Sequence, residues 1–156
     1  LSAAAPDLAG VFAENAAKYR EQISALAESY REKFSSIPEE SRKALTSHAA
    51  FGYLARDYSL DLKSIHGPGD DAEEGAGSVS KIIREVKKSG IRVIFLETMH
   101  DPHLAHTIER ETGAKAAGEL YSDSLPDGSV SYVGYLSHNL STVLAGLKSQ
   151  ISAGSK

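Results

Sequence analysis

Ser78-Val79-Ser80-Lys81-Ile82-Ile83-Arg84-Glu85-Val86-Lys87-Lys88-Ser89-Gly90-Ile91-Arg92-Val93-Ile94-Phe95-Leu96 changes its hydrophobic period halfway along. Val79, Ile82, Ile83 and Val86 recur at steps of three and four, which puts them on one face of a helix over 78–89. Gly90 follows where a helix needs a left-handed stop. Ile91–Leu96 is then apolar except for Arg92 and rich in β-branched residues, the pattern of a strand buried on both faces. A helix feeding a doubly buried strand is the repeating unit of a parallel sheet with helices on both sides.

The same alternation extends outward from this stretch. Upstream lie a strand over Lys43–Ser47, a helix over Ala49–Tyr58 and a second strand over Leu60–Ile65. Downstream, Asp101-Pro102 supplies an N-cap and an N1 proline for a helix to Thr112, stopped by Gly113. Ala114–Tyr121 reads as a fourth strand. Ser131 to about Gln150 reads as a last helix carrying Tyr132, Leu136, Leu140, Val143 and Leu147. The expected fold is α/β: a four-stranded parallel sheet, helices on both faces, right-handed crossovers.

One long helix precedes this pattern. Leu8, Phe12, Ala16, Tyr19, Ile23, Leu26, Tyr30 and Phe34 keep a helical period over residues 7–35, and Asp7 after Pro6 is the expected N-cap. Such a helix spans roughly 40 Å at ~1.5 Å per residue. It can overhang the sheet, pair in a coiled coil, or brace a neighbouring domain. The expected organisation is a long helix over 1–37, an α/β lobe over 38–152 and a frayed tail over 153–156.

Bulk composition narrows the function classes. The 156 residues are 41% hydrophobic and 24% charged, ordinary for a globular protein, with a net charge of −4. No basic stripe with interleaved aromatics appears, so nucleic acid is not an expected partner. No apolar run approaches the ~18 residues of a membrane span. Leu1–Pro6 has no basic n-region, and the expectation is a processed or truncated piece. There is no cysteine, so any metal would be held by His and carboxylates.

In parallel sheets, ligands bind beyond the carboxyl ends of the strands. The loops leaving those ends carry His48; His66 with Asp70 and Asp71; Glu97 with His100; and Asp123. Alone, His48 reads equally as a capping or core histidine, and Asp123 as an Asx-turn residue. On one sheet edge they become a mixed nitrogen–oxygen pair that suits Zn²⁺ or Mn²⁺, though two ligands do not complete a site. His100, His103 and His106 form H-x-x-H-x-x-H, readable as a solvated helix face or as an auxiliary metal site. The loop 66–71 has glycines but no phosphate-cradle motif, and its acidic neighbours would repel phosphate. No G-x-S-x-G elbow is present.

Several segments together resemble the C-terminal lobe of the zinc- or manganese-binding solute receptors of bacterial ABC importers (the cluster 9 family, some of them first described as adhesins). Thr46-Ser47-His48-Ala49-Ala50-Phe51-Gly52-Tyr53 is similar to a segment whose His is a metal ligand. Leu120-Tyr121-Ser122-Asp123-Ser124-Leu125 is similar to one whose Asp is a ligand. Ile94-Phe95-Leu96-Glu97, Thr107-Ile108 and Glu111-Thr112-Gly113-Ala114-Lys115 match supporting elements in the same order.

The resemblance implies His48 and Asp123 as two of four ligands, with the other two in an N-terminal lobe that this chain lacks. It implies Zn²⁺ or Mn²⁺ as cargo, a long inter-lobe helix, and docking on a membrane permease from the periplasmic or extracellular side. No chemical step is implied. Self-association through surface meant for the other lobe is a further expectation. Two other classes stay open: a doubly wound enzyme using the His48/Asp123 pair, and a helix-mediated interaction or adhesion protein.

Overall fold

The computed structural model describes residues 1–66, 76–97, 103–123, 125 and 131–153. A long helix, α1 (Ala9–Ser35), leads into β1 (Lys43–His48), α2 (Gly52–Tyr58), β2 (Asp61–His66), α3 (Ala76–Ser89), β3 (Val93–Glu97), α4 (His103–Thr112), β4 (Lys115–Leu120) and α5 (Tyr132–Ala153). All strand pairings are parallel, in the order β2-β1-β3-β4. This is the α/β architecture expected from the alternating periods. No helix among the described residues is long and apolar enough to cross a membrane.

The strands alternate as buried parallel strands must. Ala44, Val93, Phe95 and Leu120 face one side, where they meet Phe34 of α1, Phe51, and Val143 and Leu147 of α5. Leu45, Ile65 and Ile94 face the other, against Val86 of α3 and Ala105 and Ile108 of α4. The expected apolar face of the 78–89 helix is therefore the face it buries. Gly90, at φ +72°, ends that helix as its position in the sequence suggested.

Two details depart from the sequence reading. Asp7 does not cap α1. Residues Pro6–Leu8 form a 3₁₀ turn in which the N–H groups of Leu8 and Ala9 donate to the carbonyls of Ala5 and Pro6, and Leu8 sits at the α1 N-cap without a side-chain bond. The α2 helix begins at Gly52 rather than Ala49. His48 stays in the strand and the chain turns before burying Phe51. Along α1 only Tyr30 and Phe34 are buried; Val11 and Tyr19, and Leu8 just before the helix, are exposed, in keeping with a helix that overhangs the sheet. The Asp101-Pro102 cap and the tail 154–156 lie outside the described residues.

A bulge in β4 has consequences for the site. Ile94 pairs with Ala116, but Leu96 pairs with Glu119, so β4 holds one extra residue around Ala117–Gly118. Gly118 takes φ +139°, and a Cβ there would stand 2.8 Å from the Thr142 methyl of α5. The extra residue shifts the alternation by one, so Leu120 rather than Glu119 enters the core beneath α5.

The order β2-β1-β3-β4 contains a switch point. From β1 the chain crosses through α2 to β2 on one side; from β3 it crosses through α4 to β4 on the other. Crossovers of one hand running in opposite directions must use opposite faces of the sheet. The helices that follow β1 and β3, α2 and α4, consequently lie on opposite faces of the sheet, the arrangement that in parallel sheets opens a crevice at the carboxyl ends of the two strands.

Candidate metal centre

His48 ends β1 and Glu97 ends β3, one on each side of that crevice. Strand alternation puts His48 on the side of Ala44 and Thr46, and Glu97 on the side of Val93 and Phe95, so both face the α5 layer. Thr46 steadies the end of β1, its one hydroxyl hydrogen within reach of two carbonyls, those of His48 at 3.0 Å and Lys63 at 3.3 Å.

The Glu97 side chain is 1% exposed. Its Oε1 accepts the backbone N–H of His48 at 2.9 Å. Its Oε2 lies 2.6 Å from His48 Nδ1. The same Oε2 accepts the Ser122 hydroxyl at 2.8 Å. A buried carboxylate is tolerated only when its oxygens find such partners. On the other side of the ring, His48 Nε2 is 3.8 Å from Asp123 Oδ2.

Asp123 is held from behind by α5. The buried Asn139 takes both backbone groups of Tyr121: its Oδ1 accepts the N–H at 3.0 Å and its Nδ2 donates to the carbonyl at 2.8 Å. The Tyr135 hydroxyl donates to the same carbonyl at 2.9 Å. Burial pushes the Tyr135 phenol above its ordinary range, and nearby Tyr132 and Asp123 add to this. Asp123 itself stays 72% exposed.

The topology therefore joins His48 and Asp123, the two residues singled out in the sequence. An ion at ~2.1 Å from each could be shared between donors 3.8 Å apart. Ideal tetrahedral donors at that bond length lie roughly 3.4 Å apart, so Asp123 would close by a few tenths of an ångström. Among the described residues, no group of three or more His, Asp or Glu side chains could hold a metal. His48 and Asp123 bring one nitrogen and one oxygen donor to the same edge of the sheet.

The other sequence candidates are not joined to it. His66 ends β2 in register with His48, while the acidic loop 67–75 and His100 lie outside the described residues. His103 and His106 are exposed on α4, which packs on the opposite face of the sheet. His106 Nδ1 lies 2.9 Å from Glu109 Oε2, and Glu109 Oε1 accepts the Ala116 N–H at 2.7 Å. Those two bonds, His106 first, hold the Glu109 carboxyl below its usual range.

Sequence reasoning placed Glu97 on the right edge but gave it no task, and it passed over Ser122, Tyr135 and Asn139. Two signals were there to read. A carboxylate closes an otherwise apolar strand at Glu97, and an amide interrupts the buried stripe of α5 between Leu136 and Leu140.

Comparison with known proteins decides the family. The sequence model described as "ZnuA: Zinc-uptake complex component A periplasmic" matches residues 1–146. The chain belongs to this family. It is 40% identical over 117 residues to the zinc-binding protein AdcA of Streptococcus pyogenes serotype M6, covering 75% of this chain and 22% of that protein. It is 28% identical over 145 residues to the manganese-binding lipoprotein MntA of Halalkalibacterium halodurans, covering 91% of this chain and 48% of that protein. Among solved structures, the periplasmic zinc-binding protein TroA of Treponema pallidum superposes with a TM-score of 0.85 at 27% identity, over 94% of this chain and 56% of that one. The chain thus spans between about a fifth and about half of the length of these relatives. The α/β lobe with its long leading helix is the fold that the ZnuA-family chain shares with TroA.

Proposed function

We propose that this chain is the C-terminal lobe of a solute receptor for Zn²⁺ or Mn²⁺, the capture component of an ABC importer, and that His48 and Asp123 form half of its metal site. The observation that carries the reading is the pairing of His48 Nε2 with Asp123 Oδ2 at 3.8 Å across the switch point of a ZnuA-family lobe. Relatives named for zinc and for manganese support either ion as cargo.

In this reading the ion is bound and released rather than chemically changed, so the lobe performs no catalysis. His48 gives a neutral nitrogen and Asp123 a charged oxygen. The remaining donors come from the rest of the receptor, across the cleft. The α1 helix spans the two lobes, and its exposed Leu8, Val11 and Tyr19 offer apolar surface to the rest of the receptor or to a second copy. The loaded receptor would hand its ion to a membrane permease on the outer side of the cytoplasmic membrane. An imidazole donor must be unprotonated, so acid weakens capture.

Calorimetric titration of the chain with Zn²⁺ and Mn²⁺ tests this. One ion per chain, bound weakly for want of the other donors and lost in His48→Ala, is the expected result. Binding unchanged in both His48→Ala and Asp123→Ala would overturn it.

A further inference from the structure

Glu97 touches both sides of the proposed half-site. Its two oxygens take the His48 backbone N–H, the Ser122 hydroxyl and the close approach of His48 Nδ1. Two heteroatoms 2.6 Å apart need a proton between them, since two facing lone pairs would repel. On a neutral ring that proton sits on Nδ1 and leaves the lone pair on Nε2, the nitrogen facing Asp123. Ser122 immediately precedes Asp123, and the residue before it is clamped by Asn139. The turn is therefore anchored to α5 at Tyr121 and to β3 at Ser122.

We propose that Glu97 is a positioning residue for both donors: it fixes His48 in the Nδ1–H tautomer that presents Nε2 to the ion, and through Ser122 it tethers the turn that carries Asp123. The inference deepens the metal-site reading and rests on it for its purpose, but the state of the His48 ring can be read without any metal. It gives Glu97 a task that neither its burial nor its place in the strand would by itself require.

The test is a long-range ¹H–¹⁵N correlation spectrum of the ¹⁵N-labelled, metal-free chain at about pH 8, where imidazoles are neutral. The His48 ring is assigned by its loss in His48→Ala. The expected spectrum shows the Nδ1–H tautomer. Glu97→Gln should disperse that preference and weaken Zn²⁺ binding by roughly 10–100-fold, the usual cost of losing an orienting partner. Ser122→Ala should keep the tautomer and lose only a few-fold in affinity, through Asp123. An Nε2–H tautomer in the parent chain would overturn the proposal, as would a Glu97→Gln chain with unchanged tautomer and affinity. If Glu97→Gln does not fold, the parent spectrum and Ser122→Ala decide. An Nδ1–H spectrum in a chain that binds no Zn²⁺ would uphold the Glu97 clamp and overturn the metal reading instead.

Discussion

Two histidine-bearing regions of this molecule are built differently. At the β1–β3 switch point a single histidine, His48, lies between a buried carboxylate and an exposed one. On α4, His103 and His106 stand a helical step apart on the solvent side of a helix whose other face, through Ala105 and Ile108, fills the core. The second region is richer in nitrogen donors, though its spacing reads as readily as a solvated helix face. The first has a strand end, a buried carboxylate beside the ring and a second candidate donor brought in from elsewhere in the chain. Ligand count is a property of sequence, whereas preorganisation is a property of the fold.

The largest effect expected from breaking this contrast is at His48. Replacing it with Ala removes the nitrogen donor of the proposed pair. Zn²⁺ affinity should fall by about 100-fold or more, or about 2.7 kcal/mol, since it loses a ligand rather than an orienting neighbour. Titration calorimetry reads this directly. An unchanged isotherm would move the site away from the switch point.

Next in size is Asn139, which touches no donor. Asn139→Ala leaves the Tyr121 N–H without its α5 acceptor and removes one of two donors to the Tyr121 carbonyl. Losing that buried pairing should cost about 1–3 kcal/mol, measurable as a lower denaturation midpoint in urea. The same variant should loosen Asp123 and reduce Zn²⁺ affinity. Full stability in Asn139→Ala would show that α5 does not hold the β4 turn.

Asp123→Ala comes third. Its side chain is mostly exposed, and a water can take a carboxylate's place on an ion more easily than an imidazole's. A loss of about tenfold, or about 1.4 kcal/mol, is expected by calorimetry. A loss as large as that of His48→Ala would mean the two donors are equally fixed in the bound state.

How much of this was legible in the sequence follows from how local each feature is. The change of period at Gly90 and the buried strand Ile91–Leu96 are local, and the α/β fold followed from them. His48 and Asp123 could be placed on one edge because parallel topology sends every strand's carboxyl end the same way. Their 3.8 Å approach depends on the strand order, which puts β1 beside β3. Glu97 could be placed but not given a task, because its partners lie 49 and 25 residues away along the chain and belong to other elements. The β4 bulge had only Gly118 as a signal, and its effect on Leu120 is visible only against α5. The Asp7 cap failed for the opposite reason: a local rule gave way to another local geometry, the 3₁₀ turn begun at Pro6.

The smallest effects belong to the α4 histidines, and they sharpen the comparison most. His106→Ala should leave Zn²⁺ affinity at the switch point within about twofold, because its ring is engaged with Glu109 on the far face of the sheet. Its consequence should be one of stability in acid. The Glu109 carboxyl is held low in the folded chain, chiefly by His106 and then by the Ala116 N–H. A carboxyl whose folded value lies below its unfolded one adds stability that is present above the ordinary Glu range, near ~4.3, and is lost as pH falls through the folded value. Removing His106 brings the folded value back up, so melting curves of parent and variant should separate most at neutral pH and converge in strong acid. The gap should stay below about 0.5 kcal/mol, since the His106 ring is half exposed and the contact is screened. A tenfold loss of Zn²⁺ affinity in His106→Ala would dissolve the distinction between the two histidine regions. A change confined to the pH dependence of melting would leave α4 as a surface helix and the switch point as the metal-binding edge.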